Sequence, residues 1–416
     1  MTFSEPKLFL TIVSIAVIAF SSCTKETKII EKNGGKNEAA NKLSVSDESS
    51  AAELAQAAEQ LLSPYTFMLA YKISNQALQK DPQNLKAQFY YLFLKRFEAF
   101  RGYYFRVQGM LTTAERADIL KQINDMPKSP LKDYLVDTSK PIFRTESDIQ
   151  AALDEYFNAS NEFRKFLKDN EEKEFEIQLN PYVFDKSIRE NLIDSCRYEE
   201  NDGQFSLKCD RQNIAIKKLN TADFIYLRQL VSGEILYGAL LNSYSADGLR
   251  ATQASSDYAS LTPENKIKRL LASGNLGKYR KTSLFTNIPS LGSDLVAATE
   301  WALKYQSELC QPRKDYLAGD AWCIQDQTNI YANIEIAKSL LSGITRVDLK
   351  IANSNAKMNT QVNLLALLNS PIQDLRTVAP VKYNNCGLAT ELPDNTLQGL
   401  FPENNASLFV LDTNCK

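Results

Sequence analysis

The stretch from Tyr71 to Phe105 constrains the fold of this chain more than any other part of the sequence. Its hydrophobic spacing predicts two helices that fold back on each other at an Asp81-Pro82 corner, with Asp81 as the N-cap of the second helix and Pro82 in its first turn. Many aromatic rings on one helix need several neighbouring elements to cover them, so we expect this helix to form the centre of the main core. The second helix carries Phe89, Tyr90, Tyr91, Phe93, Phe97, Phe100, Tyr103, Tyr104 and Phe105.

The composition favours a helical globular protein and excludes several kinds of chemistry. Only 15 glycines and 14 prolines occur in 416 residues, whereas sandwiches and barrels need many turn residues. A net charge of -2 gives no basic surface for nucleic acid. The chain contains no histidine, which excludes zinc–imidazole sites, Ser-His-Asp triads and Cys-His dyads. We therefore expect a mainly α-helical protein with no cofactor, no metal site and no nucleic-acid partner.

The N-terminus has the layout of an export signal. Residues 8–20 are an apolar run behind Lys7 that has the length of a signal-peptide core and is too short to span a bilayer comfortably. The run ends in Phe20-Ser-Ser-Cys23, which resembles the lipobox of bacterial lipoproteins although leucine is more usual than phenylalanine there. The resemblance implies that residues 1–22 are removed and that Cys23 is lipidated. An ordinary cleaved signal or a short anchor is the alternative.

Residues 23–50 predict a flexible tether between the lipid and the folded body. They are polar and charged and include a Gly34-Gly35 pair, so they cannot bury enough apolar surface to become ordered. The folded body is therefore expected to start near Ala51. A threonine follows Cys23, which in enteric-type bacteria resembles sorting to the outer membrane.

The cysteines downstream of Cys23 are best explained as structural. An even number of them in an exported chain favours disulfides in an oxidising compartment. No CxxC motif occurs, and no histidine is present to activate a thiolate. The alternative is that some remain reduced and buried as small apolar side chains. Pairing along the chain predicts three disulfides: Cys196–Cys209, Cys310–Cys323 and Cys386–Cys415.

The first helical pair resembles a known repeat. Its helix-packing positions carry one large and three small side chains, at Leu54, Ala58, Ala70 and Ala77. Together with the proline corner, this pattern over residues 51–84 resembles one tetratricopeptide repeat. Leu61 and Ser74 depart from it, and Leu92 prevents the next 34 residues from repeating it. The resemblance implies a right-handed, α-solenoid-like stack of further helical pairs, because one repeat cannot bury its own face. A generic helical hairpin with the same corner is the alternative.

Further helices are predicted downstream, and they are interrupted once. The helices cover Thr112–Asn124, Glu146–Asn170, Thr221–Ser243, Thr262–Ser273, Leu291–Leu309, Thr328–Ser342 and Thr360–Asn369. Alternating residues around an Asn-Asp-Gly turn at 201–203 predict a small β-hairpin, which Cys196 and Cys209 would staple. The body then divides into an N-terminal helical region at 51–175, a β-hairpin excursion at 176–220 and a C-terminal helical region with an irregular tail at 221–416.

The sequence contains no convincing catalytic signature. GxGxxG, GxxxxGK[ST] and GxSxG are all missing. Ser129 and Lys132 have SxxK spacing, but no KTG segment accompanies them. Glu146-Ser147 matches the Glu-Ser pair of lytic transglycosylases, in which the glutamate is a general acid on cell-wall glycan, but no Gly-Leu-Met-Gln segment follows. We therefore expect no enzymatic activity, and cell-wall hydrolysis is the weakest hypothesis.

Three tyrosines of the aromatic helix are the candidate binding residues: Tyr90, Tyr91 and Tyr103. A tyrosine offers an apolar face and a polar tip, so these side chains can line a groove that binds a peptide or stacks on sugars. The alternative is burial in the core. That alternative is favoured for the stripe spaced by three and four residues: Phe89, Phe93, Phe97, Phe100 and Tyr104.

Together these patterns predict a non-catalytic lipoprotein of the bacterial cell envelope, lipid-anchored in the outer membrane and facing the periplasm. We expect a helical-repeat scaffold or adaptor for a protein or peptide partner. The alternative is an accessory lipoprotein that binds a solute or a glycan for a transport system. An open concave face would favour the adaptor, whereas an enclosed, tyrosine-lined cavity would favour the ligand carrier.

Overall fold

The protein is described here from a computed structural model that covers residues 48–62, 67–125, 130–179, 196–201, 204–209, 215–255, 257–281, 283–305, 327–352, 354–384, 386 and 388–411. The described part is mainly helical, as the sequence predicts, and it contains four small antiparallel strand pairs where the sequence predicts one hairpin. The predicted signal peptide, Cys23, nearly all of the tether and the Cys310–Cys323 loop lie outside the described residues.

The N-terminal half is built from helices with short connections. They are α1 (Ala51–Gln60), α2 (Phe67–Lys80), α3 (Leu85–Lys95), α4 (Tyr103–Val107), α5 (Thr113–Asp125), α6 (Pro130–Val136) and α7 (Glu146–Asp169). The predicted helical pair at 51–80 is confirmed, and its Ser63-Pro64 break lies outside the described residues. The predicted long helix from Glu146 is also confirmed. Its first turn is capped by Asp148, whose carboxylate accepts hydrogen bonds from the backbone N–H groups of Arg144 and Thr145 at 2.7 and 2.9 Å. These bonds lower the pKa of Asp148.

The corner between α2 and α3 differs from the prediction. The N-cap of α3 is Asn84, whose side chain accepts a hydrogen bond from the Ala87 N–H at 3.0 Å. Asp81 instead accepts from the Gln83 N–H at 3.0 Å, so it shapes the turn and does not cap the helix. Both are residues that cap helices or form Asx turns, and the choice between them is set by where the chain reverses.

The aromatic segment is not one continuous helix through Phe105, and that prediction is wrong. α3 ends at Lys95, and a 3-10 turn follows over Arg96–Phe100. Gly102 then adopts a left-handed conformation with φ of 69°, and its N–H donates to the Tyr134 carbonyl at 2.8 Å. A side chain at this position would overlap the carbonyl of Asp137, so only glycine fits the close approach of the two backbones.

The predicted β excursion is confirmed as two antiparallel strand pairs. β1 (Phe175–Leu179) pairs with β4 (Ala215–Leu219), and β2 (Cys196–Asn201) pairs with β3 (Gln204–Cys209). Cys196 lies directly opposite Cys209 in the register, but their side chains are outside the described set, so their disulfide stays a prediction. Cys386 is disulfide-bonded; its predicted partner Cys415 lies outside the described residues.

The C-terminal half starts with helices and ends in small strands. The elements are α8 (Thr221–Asn242), α9 (Leu249–Gln253), α10 (Pro263–Ala272), α11 (Ser283–Thr286), α12 (Ile288–Lys304), α13 (Gln327–Ser342), β5 (Ile344–Lys350), β6 (Lys357–Asn363), α14 (Leu364–Asn369), β7 (Lys382–Tyr383), β8 (Ala389–Glu391) and α15 (Ser407–Val410). The predicted helix from Thr262 is confirmed as α10, and Thr262 is its N-cap, because its hydroxyl accepts a hydrogen bond from the Asn265 N–H at 3.3 Å.

The predicted helix Thr360–Asn369 is wrong over its first four residues, which belong to β6. β6 pairs with β5 in an antiparallel hairpin that places Thr360 opposite Val347. Thr360 is fully buried, donates to Glu403 at 3.0 Å and accepts from Asn405 at 2.8 Å. The strand conformation is therefore fixed by contacts with the tail.

The larger helices pack in chain order around one aromatic core. α1, α2 and α3 pack against one another, α3 packs on α7, α7 on α8, α8 on α12, and α12 on α13. Phe89 and Phe163 are at most 5% exposed, and their ring centroids are 5.5 Å apart in an edge-to-face arrangement. The aromatic segment is thus part of the main core, as predicted. A repeating solenoid geometry stays a prediction.

Gly238 on α8 tests this packing, because a side chain there would overlap the Phe157 ring of α7. We expect Gly238→Ala to destabilise the protein by about 1–3 kcal/mol, since overpacking outweighs the gain in helix propensity. Gly233→Ala on the same helix is the matched control: its new Cβ would meet only Leu295, at an ordinary 3.9 Å, so stability should hold or rise. Urea unfolding measures both, and equal effects would contradict this packing.

Candidate functional site

A shallow groove of about 540 Å³ runs between α3 and α7 and is open to solvent. We call it the α3–α7 groove. Its apolar lining comes from Leu78, Pro82, Tyr91, Leu92 and Phe166, and its polar lining from Gln88, Glu162, Lys165, Asp169 and Asn170. An apolar floor with a charged rim is typical of surfaces that bind polypeptides.

The two walls of the groove are antiparallel helices that share a core beneath it. Phe89 on α3 contacts Phe166 on α7, Phe93 contacts Phe163, and further along Phe97 contacts Tyr156, with ring centroids 5.7–6.4 Å apart. Phe166 forms part of the groove floor, and the neighbouring faces of the two helices form the walls. The core rings therefore fix the spacing of the walls.

One end of the groove is closed by an ion pair, and the other is not. Lys95 Nζ lies 2.6 Å from Glu162 Oε2 across the two helices. By contrast, Lys165 and Asp169, both exposed on α7, make no ion pair or side-chain hydrogen bond with any residue that the structure describes. Two unpaired charges of opposite sign thus remain on one wall.

Two side-chain amides lie at the open end. Gln88 Nε2 donates to the Pro82 carbonyl at 2.5 Å, and Asn170 Nδ2 donates to the Phe166 carbonyl at 2.8 Å. Each bond uses an amide N–H and leaves the side-chain oxygen as an acceptor. Backbone N–H groups of a bound peptide are natural donors to such oxygens.

Of the three predicted tyrosines, only Tyr91 lines the groove. It is partly exposed, and one face of its ring stacks on Tyr71 with a centroid distance of 5.2 Å and an interplanar angle of 12°. Burial, followed by a hydrogen bond with Tyr91, raises the pKa of the Tyr71 phenol. Tyr91 is therefore held in one orientation by its neighbour.

Tyr90 is a core residue, which corrects its assignment as a binding residue. It is 1% exposed, and its hydroxyl donates to the buried carboxylate of Glu59 at 2.7 Å. The same carboxylate accepts from Lys86 at 3.1 Å. Burial is the largest cause that raises the pKa of Tyr90 well above its ordinary value, followed by the charge of Glu59.

Tyr103 lies elsewhere, so the structure does not bring the three tyrosines together. It packs beside a separate small cluster that contains Val107, Phe143 and Ala152. Burial raises the pKa of Tyr103 to about 12, with a smaller contribution from Tyr104. The rim residues Glu162, Lys165 and Asp169 of α7 were not predicted as site residues. Their spacing of three and four residues places them on one exposed face of the helix, and this spacing is the sequence signal that could have indicated a groove wall.

Glu146, the residue behind the glycan-hydrolase hypothesis, caps a helix. Its carboxylate accepts hydrogen bonds from the Arg250 N–H at 2.7 Å and the Gly248 N–H at 3.4 Å, at the start of α9. In return, Asp247 accepts from the Ser147 N–H at 2.9 Å, near the start of α7. A general acid must carry a proton towards its substrate, whereas this carboxylate is occupied as an acceptor. Ser129 lies outside the described residues.

The described part of the chain offers neither a membrane-spanning helix nor a metal-binding cluster. No helix there is long and apolar enough to cross a membrane. No cluster of three or more acidic, cysteine or histidine side chains there is arranged to hold a metal ion.

Comparison with known protein families, curated proteins and solved structures finds no match to this chain.

The different roles of Tyr90 and Tyr91 can be measured directly. We expect Tyr90→Phe to destabilise the protein by about 1–3 kcal/mol, because it removes a donor from a buried carboxylate. Tyr91→Phe serves as the control and should cost less than about 1 kcal/mol at its half-exposed position. Urea-unfolding free energies test the pair; a larger loss for Tyr91→Phe would contradict these assignments.

Proposed function

We propose that this chain is a non-catalytic lipoprotein of the bacterial cell envelope that acts as a helical scaffold or adaptor for a protein or peptide partner. The partner binds in the α3–α7 groove. The observation that carries the proposal is the combination in this open groove of an apolar floor, unpaired rim charges and side-chain amide acceptors. Polypeptides offer all three complementary features at once.

The anchoring part of the proposal is based on the sequence. The apolar run at 8–20 and the Phe20–Cys23 segment resemble a lipoprotein signal, and the polar residues 23–50 provide the spacer. Lipid chains on Cys23 would hold the body near the outer membrane, facing the periplasm, and would make a spanning helix unnecessary.

The alternative of a solute- or glycan-binding accessory lipoprotein is favoured by one observation, the partly exposed ring of Tyr91 in the groove. Sugar rings stack on open aromatic faces. One face of Tyr91 is already covered by Tyr71, however, and the groove does not enclose a ligand. The geometry therefore supports a peptide partner better.

Site-specific photo-crosslinking in the native envelope tests the proposal. Benzoylphenylalanine placed at Tyr91 or at Leu92 should give a discrete protein adduct after irradiation, because both residues line the groove. The matched control is the same photoreactive group at Leu120 on α5, which is 47% exposed and lies outside the groove. Equal adducts at all three positions, or none, would overturn the adaptor proposal; a small ligand would give no protein adduct.

A second arm of the same experiment tests the anchor. In cells that carry Cys23→Ser, we expect the chain to move from the membrane fraction to the soluble fraction and the Tyr91 adduct to weaken. Unchanged membrane recovery would refute lipid anchoring and leave the groove unaffected.

A further inference from the structure

The unpaired charges on the α7 wall have a defined spacing. Lys165 and Asp169 are separated by four residues, so they lie one helical turn, about 6 Å, apart along the wall. The lysine precedes the acid, which is the less favourable order for pairing within a helix. Both charges therefore remain available to a ligand.

The same spacing occurs in an extended peptide. Side chains two positions apart in a strand point to the same side and are separated by about 6.6 Å. A peptide that lies along the groove can thus place one acidic side chain at Lys165 and one basic side chain at Asp169. A free amino acid with an uncharged side chain cannot span this distance, since its two charged groups are attached to a single carbon.

The residue between the two charges points the other way, towards the α3 wall. That wall presents Leu92 and the ring of Tyr91, both partly buried, so an apolar side chain fits there. A bound helix keeps its backbone N–H groups in its own hydrogen bonds, whereas an extended segment can offer them to the side-chain oxygens of Gln88 and Asn170.

On the basis of the proposed function, we infer that the α3–α7 groove binds an extended peptide segment with the alternation acidic–apolar–basic. Lys165 pairs with the acidic side chain and Asp169 with the basic one, while the α3 wall contacts the apolar side chain. The side-chain oxygens of Gln88 and Asn170 accept hydrogen bonds from backbone N–H groups of the peptide. Chain direction decides whether the acidic residue comes first or last in the segment.

Binding of defined peptides tests this inference. The probes are acetylated, amidated and glycine-flanked heptapeptides with the cores Glu-Leu-Lys, Lys-Leu-Glu, Glu-Leu-Glu, Lys-Leu-Lys and Glu-Gln-Lys, titrated into the full chain in detergent. We expect one mixed-charge order to bind best, with about a two- to fivefold change in Kd per mismatched charge. The core with glutamine in place of leucine should bind at least about fivefold more weakly.

Charge-exchange variants make the test specific. Lys165→Glu combined with Asp169→Lys should reverse the preferred order. Lys165→Glu alone should prefer Lys-Leu-Lys, and Asp169→Lys alone should prefer Glu-Leu-Glu. The matched control exchanges Lys121 and Asp125, an exposed pair with the same spacing and order on α5, and should change nothing.

Peptide preferences that ignore these exchanges, or no binding of any core, would overturn the inference. The proposed function is judged separately by the crosslinks at Tyr91 and Leu92. Crosslinks without charge preference would retain the adaptor and reject this recognition rule.

Discussion

The arrangement of the three central helices, α3, α7 and α8, depends on the contacts that surround the buried guanidinium of Arg96. Arg96 is 6% exposed, and its Cζ lies 4.9 Å from the ring centre of Phe93 and 5.5 Å from those of Phe97 and Phe163. Its Nη1 is 3.3 Å from a carboxylate oxygen of Glu234. A buried charge without partners is very costly, so Arg96 is tolerated only when Phe163 of α7 completes the ring of aromatic side chains around it and α8 supplies the acid.

Other buried arginines on α7 and α8 are likewise paired with an acid from a neighbouring element. Arg164 on α7 forms a buried ion pair with Asp294 on α12, and Arg228 on α8 pairs with Glu171 just beyond α7. Ser160 donates to Glu234 at 3.2 Å. These contacts hold α7 against α8 and α12, and the aromatic rings hold it against α3, so both walls of the α3–α7 groove are tied into the core. A wall that is ordered in advance lowers the entropic cost of binding for the proposed partner.

The sequence predicts the parts of this structure that follow from local pattern. The helical spacing over 51–80 and from Glu146 onward, and the alternation that pairs β2 with β3, are local signals, and each prediction is confirmed. The break at Gly102 arises from a backbone approach to Asp137, which no local pattern reveals. The alternation in Ile344–Lys350 is a local signal for β5, although no strand is predicted there.

The candidate site shows the same division. Tyr91 was predicted because it leaves the aromatic stripe, whereas its neighbour Tyr90 was assigned wrongly because Glu59, 31 residues away, holds its hydroxyl in the core. The α7 wall could not be chosen among many solvated helix faces until packing placed it opposite α3. Likewise, Glu234 is 138 residues from Arg96 and has no sequence signal as its partner.

A double-mutant cycle on Arg96 and Glu234 tests the central claim most directly. Unfolding free energies would be measured for Arg96→Met, Glu234→Gln and the double variant. If Arg96 depends on Glu234, Glu234→Gln should destabilise the protein strongly when Arg96 is present and much less when residue 96 is Met. The coupling free energy between the two sites should then exceed about 1 kcal/mol. Losses that add within about 0.5 kcal/mol would contradict the account, because Arg96 would then be stable in the core without its acid.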